Sequence, residues 1–110
     1  MTKKQLQFII AQGENSKIEF KENLDKNAAK DVCAFANSSD GAILIGIDDN
    51  NQPKGIKITN RLKSQIQDLA QNCDPEIKIS LKEAGNILIL EAPAGANKPY
   101  SCSSGFYFRQ

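Results

Sequence analysis

Apolar residues recur along this chain in two rhythms, and each rhythm predicts an element. Leu6, Ile9 and Ile10 share one helical face, with Thr2 and Gln5 spaced as a capping box and Gly13 placed to end the helix after about Ala11. Lys17 to Lys21 alternates instead, which predicts a half-buried strand with Ile18 and Phe20 inward and Lys17, Glu19 and Lys21 outward. Ala28, Val32, Phe35 and Ala36 return to the helical period, with Lys26, Lys30 and Asp31 on the other face. The cluster Asn37-Ser38-Ser39-Asp40-Gly41 must break that helix, because its side chains compete for backbone hydrogen bonds. From Ala42 to Ile47 every residue is apolar or glycine, the mark of a strand covered on both faces at the centre of a sheet. Gly46 inside it implies that another backbone, a large side chain or a ligand comes close.

The second half of the chain continues in the same way. Asp49 to Gly55 is dense in turn formers and Ile56 to Thr59 alternates, so the central strand and this segment read as a hairpin. Asn60 is placed to cap a third helix carrying Leu62, Ile66, Leu69 and Ala70, which Asp74-Pro75 ends. Ile77, Ile79 and Leu81 alternate with Lys78, Ser80 and Lys82; a turn at Ala84-Gly85-Asn86 leads into a buried strand from Ile87 to Ala92. After a loop over Pro93 to Pro99, Phe106 to Arg109 reads as the start of one more strand, whose unfinished edge at Phe106 to Gln110 would seek cover. The expectation is a single α+β domain over residues 1–110, a mixed sheet with about three helices packed on it, forming the N-terminal part of a longer protein.

Composition narrows the chemistry. Fourteen basic residues against thirteen acidic ones give a net charge of +1, so any basic footprint must be local. Histidine is absent, which removes imidazole bases and the usual zinc sites. Three widely spaced cysteines, Cys33, Cys73 and Cys102, with no CxxC pair, suit a reducing, cytoplasmic setting and a role as small buried hydrophobes. No phosphate-cradling GxxxxGKS or GxGxxG loop is present, so no nucleotide cofactor is expected. Neither a secretory signal nor an apolar run of membrane-spanning length appears, so no membrane partner is expected.

Glu14, Glu19-Phe20-Lys21, Ala34-Phe35-Ala36-Asn37-Ser38, Gly41, Ile45-Gly46-Ile47-Asp48-Asp49, Gly55, Pro75, the strand Ile87 to Glu91, Lys98-Pro99-Tyr100 and Tyr107-Phe108-Arg109 follow one another in an order that resembles the Schlafen AlbA_2 domain. Asp40 stands where that family usually has the first glycine of a Gly-Gly pair. The resemblance implies a nucleic-acid-binding, DNA-binding in the usual description, module of a larger transcriptional regulator or helicase-related protein. It also implies one lobe of a homodimer, because the animal Schlafen proteins pair two such lobes to bind and cleave transfer RNA.

The resemblance also supplies the sharpest chemical hypothesis. Glu14, Glu19 and Asp48 match three carboxylates that hold a divalent metal in nucleolytic members, where Mg²⁺ or Mn²⁺ would activate water against a phosphodiester of structured RNA. Five residues apart on a strand would put the two glutamates on opposite faces, so they converge only if the chain curls at Gly13 to Ser16. The plainer reading leaves Glu14 and Glu19 solvated or paired with lysines and lets Asp48 open a turn. Binding without cleavage needs no cofactor, and its candidates are Lys17, Lys21, Lys54, Lys57, Lys98 and Arg109 for phosphates, with Tyr100 and Tyr107 as stacking rings. Lys21 and Asp48 are expected to open onto a common groove. Asn37 reads as a residue that ends its helix or bonds its own turn. A third reading, a dimerisation or protein-interaction domain, places the nucleic-acid link elsewhere in the parent protein.

Overall fold

A computed structural model of the chain describes residues 2–25, 27–103 and 105–109. Helix α1 spans Lys3–Gln12, and its predicted start is realised in full: Thr2 accepts from the Gln5 N–H while the Gln5 side chain accepts from the Thr2 N–H. Strand β1 (Ile18–Lys21) and helix α2 (Ala28–Asn37) follow, then β2 (Gly41–Ile45) and helix α3 (Asn60–Gln71). Strands β3 (Ser80–Ala84) and β4 (Ile87–Ala92) form a hairpin, and β5 (Ser101–Cys102) pairs with β6 (Gly105–Phe106) as a separate ribbon. Thr59, one residue earlier than expected, caps α3 by accepting from the Leu62 N–H. Lys26, expected on the polar face of α2, and Gln110, expected at the unfinished edge, lie outside the described residues.

The main sheet has the order β1-β2-β4-β3, with β1 parallel to β2 and the other pairs antiparallel. This is the expected mixed α+β sheet with three helices. Because strand partners share a face, Ile43 and Ile45 meet α2 and α3 through Val32, Phe35, Ile66 and Ala70. Ala42 and Leu44 turn the other way, onto Leu6 of α1 with Phe20, Ile87 and Ile89. The central strand is therefore covered on both faces, as its uninterrupted apolar run requires.

Two strand expectations are corrected. Residues 56–59 form no strand, because β1 and β4 already occupy both edges of β2; the Ile56 N–H goes instead to the Asn86 carbonyl, and Ile56 and Ile58 pack onto the core from the side. Only Ile47 and Pro53 form an isolated bridge there. Residues 107–109 also extend no strand, since their polar groups are engaged by α2.

Strand β2 ends at Ile45, so Gly46 lies in the turn after it rather than inside the strand, and there it carries the expected close approach. Its φ is +118°, and a Cβ would lie 2.9 Å from Ile87 Cδ1 and 3.1 Å from the Gly55 Cα. The Gly55 N–H donates to the Gly46 carbonyl at 2.8 Å, so the loop after β2 folds back directly over it. Gly46→Ala combines a positive φ with a clash against backbone and is expected to destabilise the domain by about 2–3 kcal/mol, measured by urea unfolding against wild type.

Candidate nucleic-acid interface

Parallel pairing of β1 with β2 sorts the candidate residues to two ends of the sheet. At one end lie Lys17, which precedes β1, the α2–β2 turn at Ser38 to Asp40, the start of β3 and the end of β4. At the other end lie Lys21, Asp48 and the β3–β4 turn. Lys21 and Asp48, expected to open onto a common groove, lie at the same end but are engaged by different partners.

Asp48 is 8% exposed and closes its own loop. Its Oδ1 accepts from the Asn50 N–H at 2.9 Å and the Gln52 N–H at 2.8 Å, and Oδ2 lies 3.7 Å from Lys54 Nζ. This is the plainer reading of the aspartate, a side chain that replaces backbone partners in a turn. Lys21 points away from it: register places Lys21 beside Ile45 on the α2 face, where its ammonium lies 2.9 Å from Asp31 Oδ2 and 3.1 Å from Asp25 Oδ1. Burial lowers the Lys21 pKa, but the two aspartates outweigh it and the net shift is upward. Asp31 is also raised, because burial and the nearby Glu19 and Asp25 outweigh the pull of Lys21. With its side chain 10% exposed and held between carboxylates, Lys21 is a structural ion pair rather than a phosphate contact.

The two glutamates also have structural partners. Glu14 Oε2 accepts from the Phe20 N–H at 2.9 Å, and Asn15 and Ile18 exchange backbone hydrogen bonds. Both contacts occupy the edge of β1 opposite β2 and so blunt an open strand edge. Glu19 Oε2 pairs with Arg109 Nη1 at 2.9 Å. The segment from Gly13 to Ser16 does curl, as convergence would need, but the curl brings Glu14 to its own strand. Among the described residues no three His, Cys, Asp or Glu side chains gather as a metal-holding group. The donor set as arranged does not fit Mg²⁺ or Mn²⁺, and no hydrolytic step follows from it.

Arg109 is the most heavily engaged cation. Besides Glu19, its guanidinium donates to the Asn15 carbonyl at 2.7 Å and the Ser16 carbonyl at 3.3 Å, and it stacks 4.5 Å from the centre of the Phe35 ring. Tyr100, expected as a stacking group, is 5% exposed; its ring fills the space left by Gly95, and its hydroxyl accepts from the Asn97 N–H. Tyr107 is partly buried against the core with Lys30 5.4 Å from its ring centre. The exposed aromatic of this pair is Phe108, at 61%.

Asn37 does more than end a helix. Its Nδ2 donates to the Tyr100 and Tyr107 carbonyls, each at 2.8 Å, while its Oδ1 accepts from the Tyr100 N–H. One buried carboxamide thus satisfies three backbone groups 63 and 70 residues away. Ser38 continues the clamp by accepting from the Arg109 N–H at 2.8 Å, and Lys98 Nζ donates to the Ser38 carbonyl at 3.2 Å.

What remains accessible at this end is an open groove of about 760 Å³ lined by Lys17, Asp40, Gly41, Lys78, Ser80 and Glu91 among others. Lys17 is loosely paired with Asp40 at 3.4 Å, both side chains more than half exposed, and Lys98 stands beside the groove on the Ser38 turn. Lys78, read from the sequence only as an outward strand residue, joins Lys17 in the groove from 61 residues further along the chain (78 − 17), a convergence no linear spacing announces. Lys54 and Lys57 lie elsewhere: Lys54 beside Asp48, Lys57 in a separate hollow with Asn23, Leu24 and Gln65.

The sequence model of the family described as Schlafen, AlbA_2 matches residues 14–110. The chain belongs to the Schlafen AlbA_2 family. Its quoted motifs now have physical roles: AFAN supplies Asn37, KPY supplies the Tyr100 backbone it clamps, and the terminal YxR supplies Tyr107 and Arg109. The family's Gly-Gly position tolerates Asp40, because the only described non-glycine residue with positive φ is Asn51. Gly41, by contrast, is needed for space, since a Cβ there would lie 2.2 Å from the buried Phe35 ring. No curated protein matches the chain. Among solved structures, the DIP2311 protein from Corynebacterium diphtheriae superimposes with a TM-score of 0.60 at 19% identity, over 97% of this chain and 24% of that one, which shows a shared fold. The AlbA_2 chain spans about a quarter of the length of that protein.

Asn37→Ala leaves the Tyr100 and Tyr107 backbone groups unsatisfied and should cost about 3 kcal/mol. Asn37→Asp keeps the acceptor but loses both donated bonds, so it should rescue little, with thermal unfolding of the three proteins as the check.

Proposed function

We infer that this AlbA_2 domain is a nucleic-acid-binding module of a larger regulator-type protein, and that it contacts the phosphate backbone at the Lys17, Lys78 and Lys98 end of the sheet. The observation that carries this reading is that Lys17 and Lys78 are exposed and line one open groove, with the exposed Lys98 held at the Ser38 carbonyl of the α2–β2 turn, whereas Lys21 and Arg109 are held by carboxylates. An exposed pair such as Lys17 with Asp40 contributes little to stability, so exchanging the carboxylate for a phosphate costs little. Family membership supports the same partner, since Schlafen AlbA_2 domains are usually described as nucleic-acid-binding.

The groove is small and its carboxylates, Asp40 and Glu91, partly offset its cations; Glu91 is itself paired with Lys82 at 2.9 Å. A single domain making about three phosphate contacts binds weakly and with a shallow salt dependence. A second lobe would double the contacts, which is the physical reason for proposing that the module works as a homodimer.

Titration of labelled DNA and RNA at increasing salt tests the proposal. Lys17→Ala, Lys78→Ala and Lys98→Ala should each weaken binding to all sequences alike and lower the slope of log K against log salt by about one. Lys57→Ala should change neither. Equal affinity in all four variants, or no binding at low ionic strength, overturns the assignment. Mn²⁺-stimulated cleavage of structured RNA that disappears in Glu19→Ala or Asp48→Ala would replace it with the endonuclease reading.

A further inference from the structure

The three cysteines, scattered at 33, 73 and 102, meet in the folded domain. Cys33 and Cys73 are buried in the α2–α3 core, and Cys102 packs against the same cluster from β5. The decisive contact is the backbone bridge beside them. Asp74 and Ser101 exchange both hydrogen bonds, Asp74 N–H to the Ser101 carbonyl at 2.8 Å and Ser101 N–H to the Asp74 carbonyl at 2.9 Å. Cys73 and Cys102 flank this isolated bridge on one side, and both pack into the same core cluster. Positions that flank a hydrogen-bonded antiparallel pair on one side come within the Cα separation that a disulfide spans.

We propose that Cys73 and Cys102 form a reversible intramolecular disulfide that locks the end of α3 to the β5 segment, making this corner of the domain a thiol-modification site. All three residues are thiols in this structure. Half-buried Cys102 is the accessible member of the pair, while Cys73 is 5% exposed and Cys33 fully buried with its Sγ donating to the Tyr100 carbonyl at 3.0 Å. Burial pushes the Cys73 thiol up to about 11 and raises Cys33 as well, so the first attack falls to Cys102.

The chemistry balances with a small-molecule disulfide as oxidant. The Cys102 thiolate attacks one sulfur of that disulfide, the S–S bond breaks, and one small thiolate leaves with the proton Cys102 gave up. Cys73, deprotonated in turn, attacks the Cys102 sulfur of the mixed disulfide and expels the second small thiol. Two protein thiols are oxidised and one disulfide is reduced to two thiols. Cys33 points at the same cluster but holds its hydrogen bond to Tyr100, and it stays reduced.

The test incubates the folded domain with oxidised glutathione, blocks remaining thiols with an alkylating agent and maps peptides by mass spectrometry without reduction. The expected result is a Cys73–Cys102 cross-linked peptide with only Cys33 alkylated, reversed by excess reduced glutathione. The oxidised protein should unfold at a temperature several degrees above the reduced one. Cys102→Ser, at the half-buried position, should abolish both the cross-link and the temperature shift, and Cys33→Ala should keep both. A link through Cys33, a mixed disulfide on Cys102 that never resolves, or three alkylated thiols would each overturn the proposal.

Discussion

The segment after β4 depends on one buried carboxamide. Asn37, at the end of α2, takes up the N–H and carbonyl of Tyr100 and the carbonyl of Tyr107. A segment without a ladder of its own would otherwise bury those groups unpaired, at a cost of about 1–3 kcal/mol each. Because the same helix end presents Ser38 to Arg109 and Lys98, the clamp also decides where two of the chain's cations stand.

From that constraint the division of charges follows. Arg109, drawn back across Phe35, is placed to pair with Glu19 on β1, which partly buries both and leaves the α2–β2 turn lined by less restrained lysines. The sheet's other end is closed by its own polar groups: Lys21 between two aspartates, Asp48 inside its loop, Glu14 on the edge of β1. Carboxylates that resemble a metal set in sequence serve in this fold as backbone and ion-pair partners. Their spacing is compatible with either role, and the direction each side chain takes decides between them.

The clamped segment also explains why distant thiols meet. Once Tyr100 is fixed under α2, Ser101 falls beside Asp74, and on one side of that bridge the flanking residues are Cys73 and Cys102. A packing requirement at Asn37 thereby creates a chemical neighbourhood at the far side of the ribbon.

What the sequence determined by itself is local periodicity and its consequences: the capped first helix, the twice-covered central strand, the helix break after Asn37 and the close approach at Gly46 were all legible, because each depends on neighbours within about one turn or one strand. The family order of motifs was legible too. What only the tertiary structure decided is partnership. Residues 56–59 alternate like a strand, yet both edges of β2 were taken; Tyr100 looks like a surface ring, yet Gly95 opens a cavity for it. Lys17, Lys78 and Lys98 carry no shared spacing, and a cation's role depends on whether the fold brings it a carboxylate or leaves it facing water. The Arg109–Glu19 pair and the Asn37–Tyr100 clamp are made across 90 and 63 residues of chain, where a linear pattern holds no record of distance or direction.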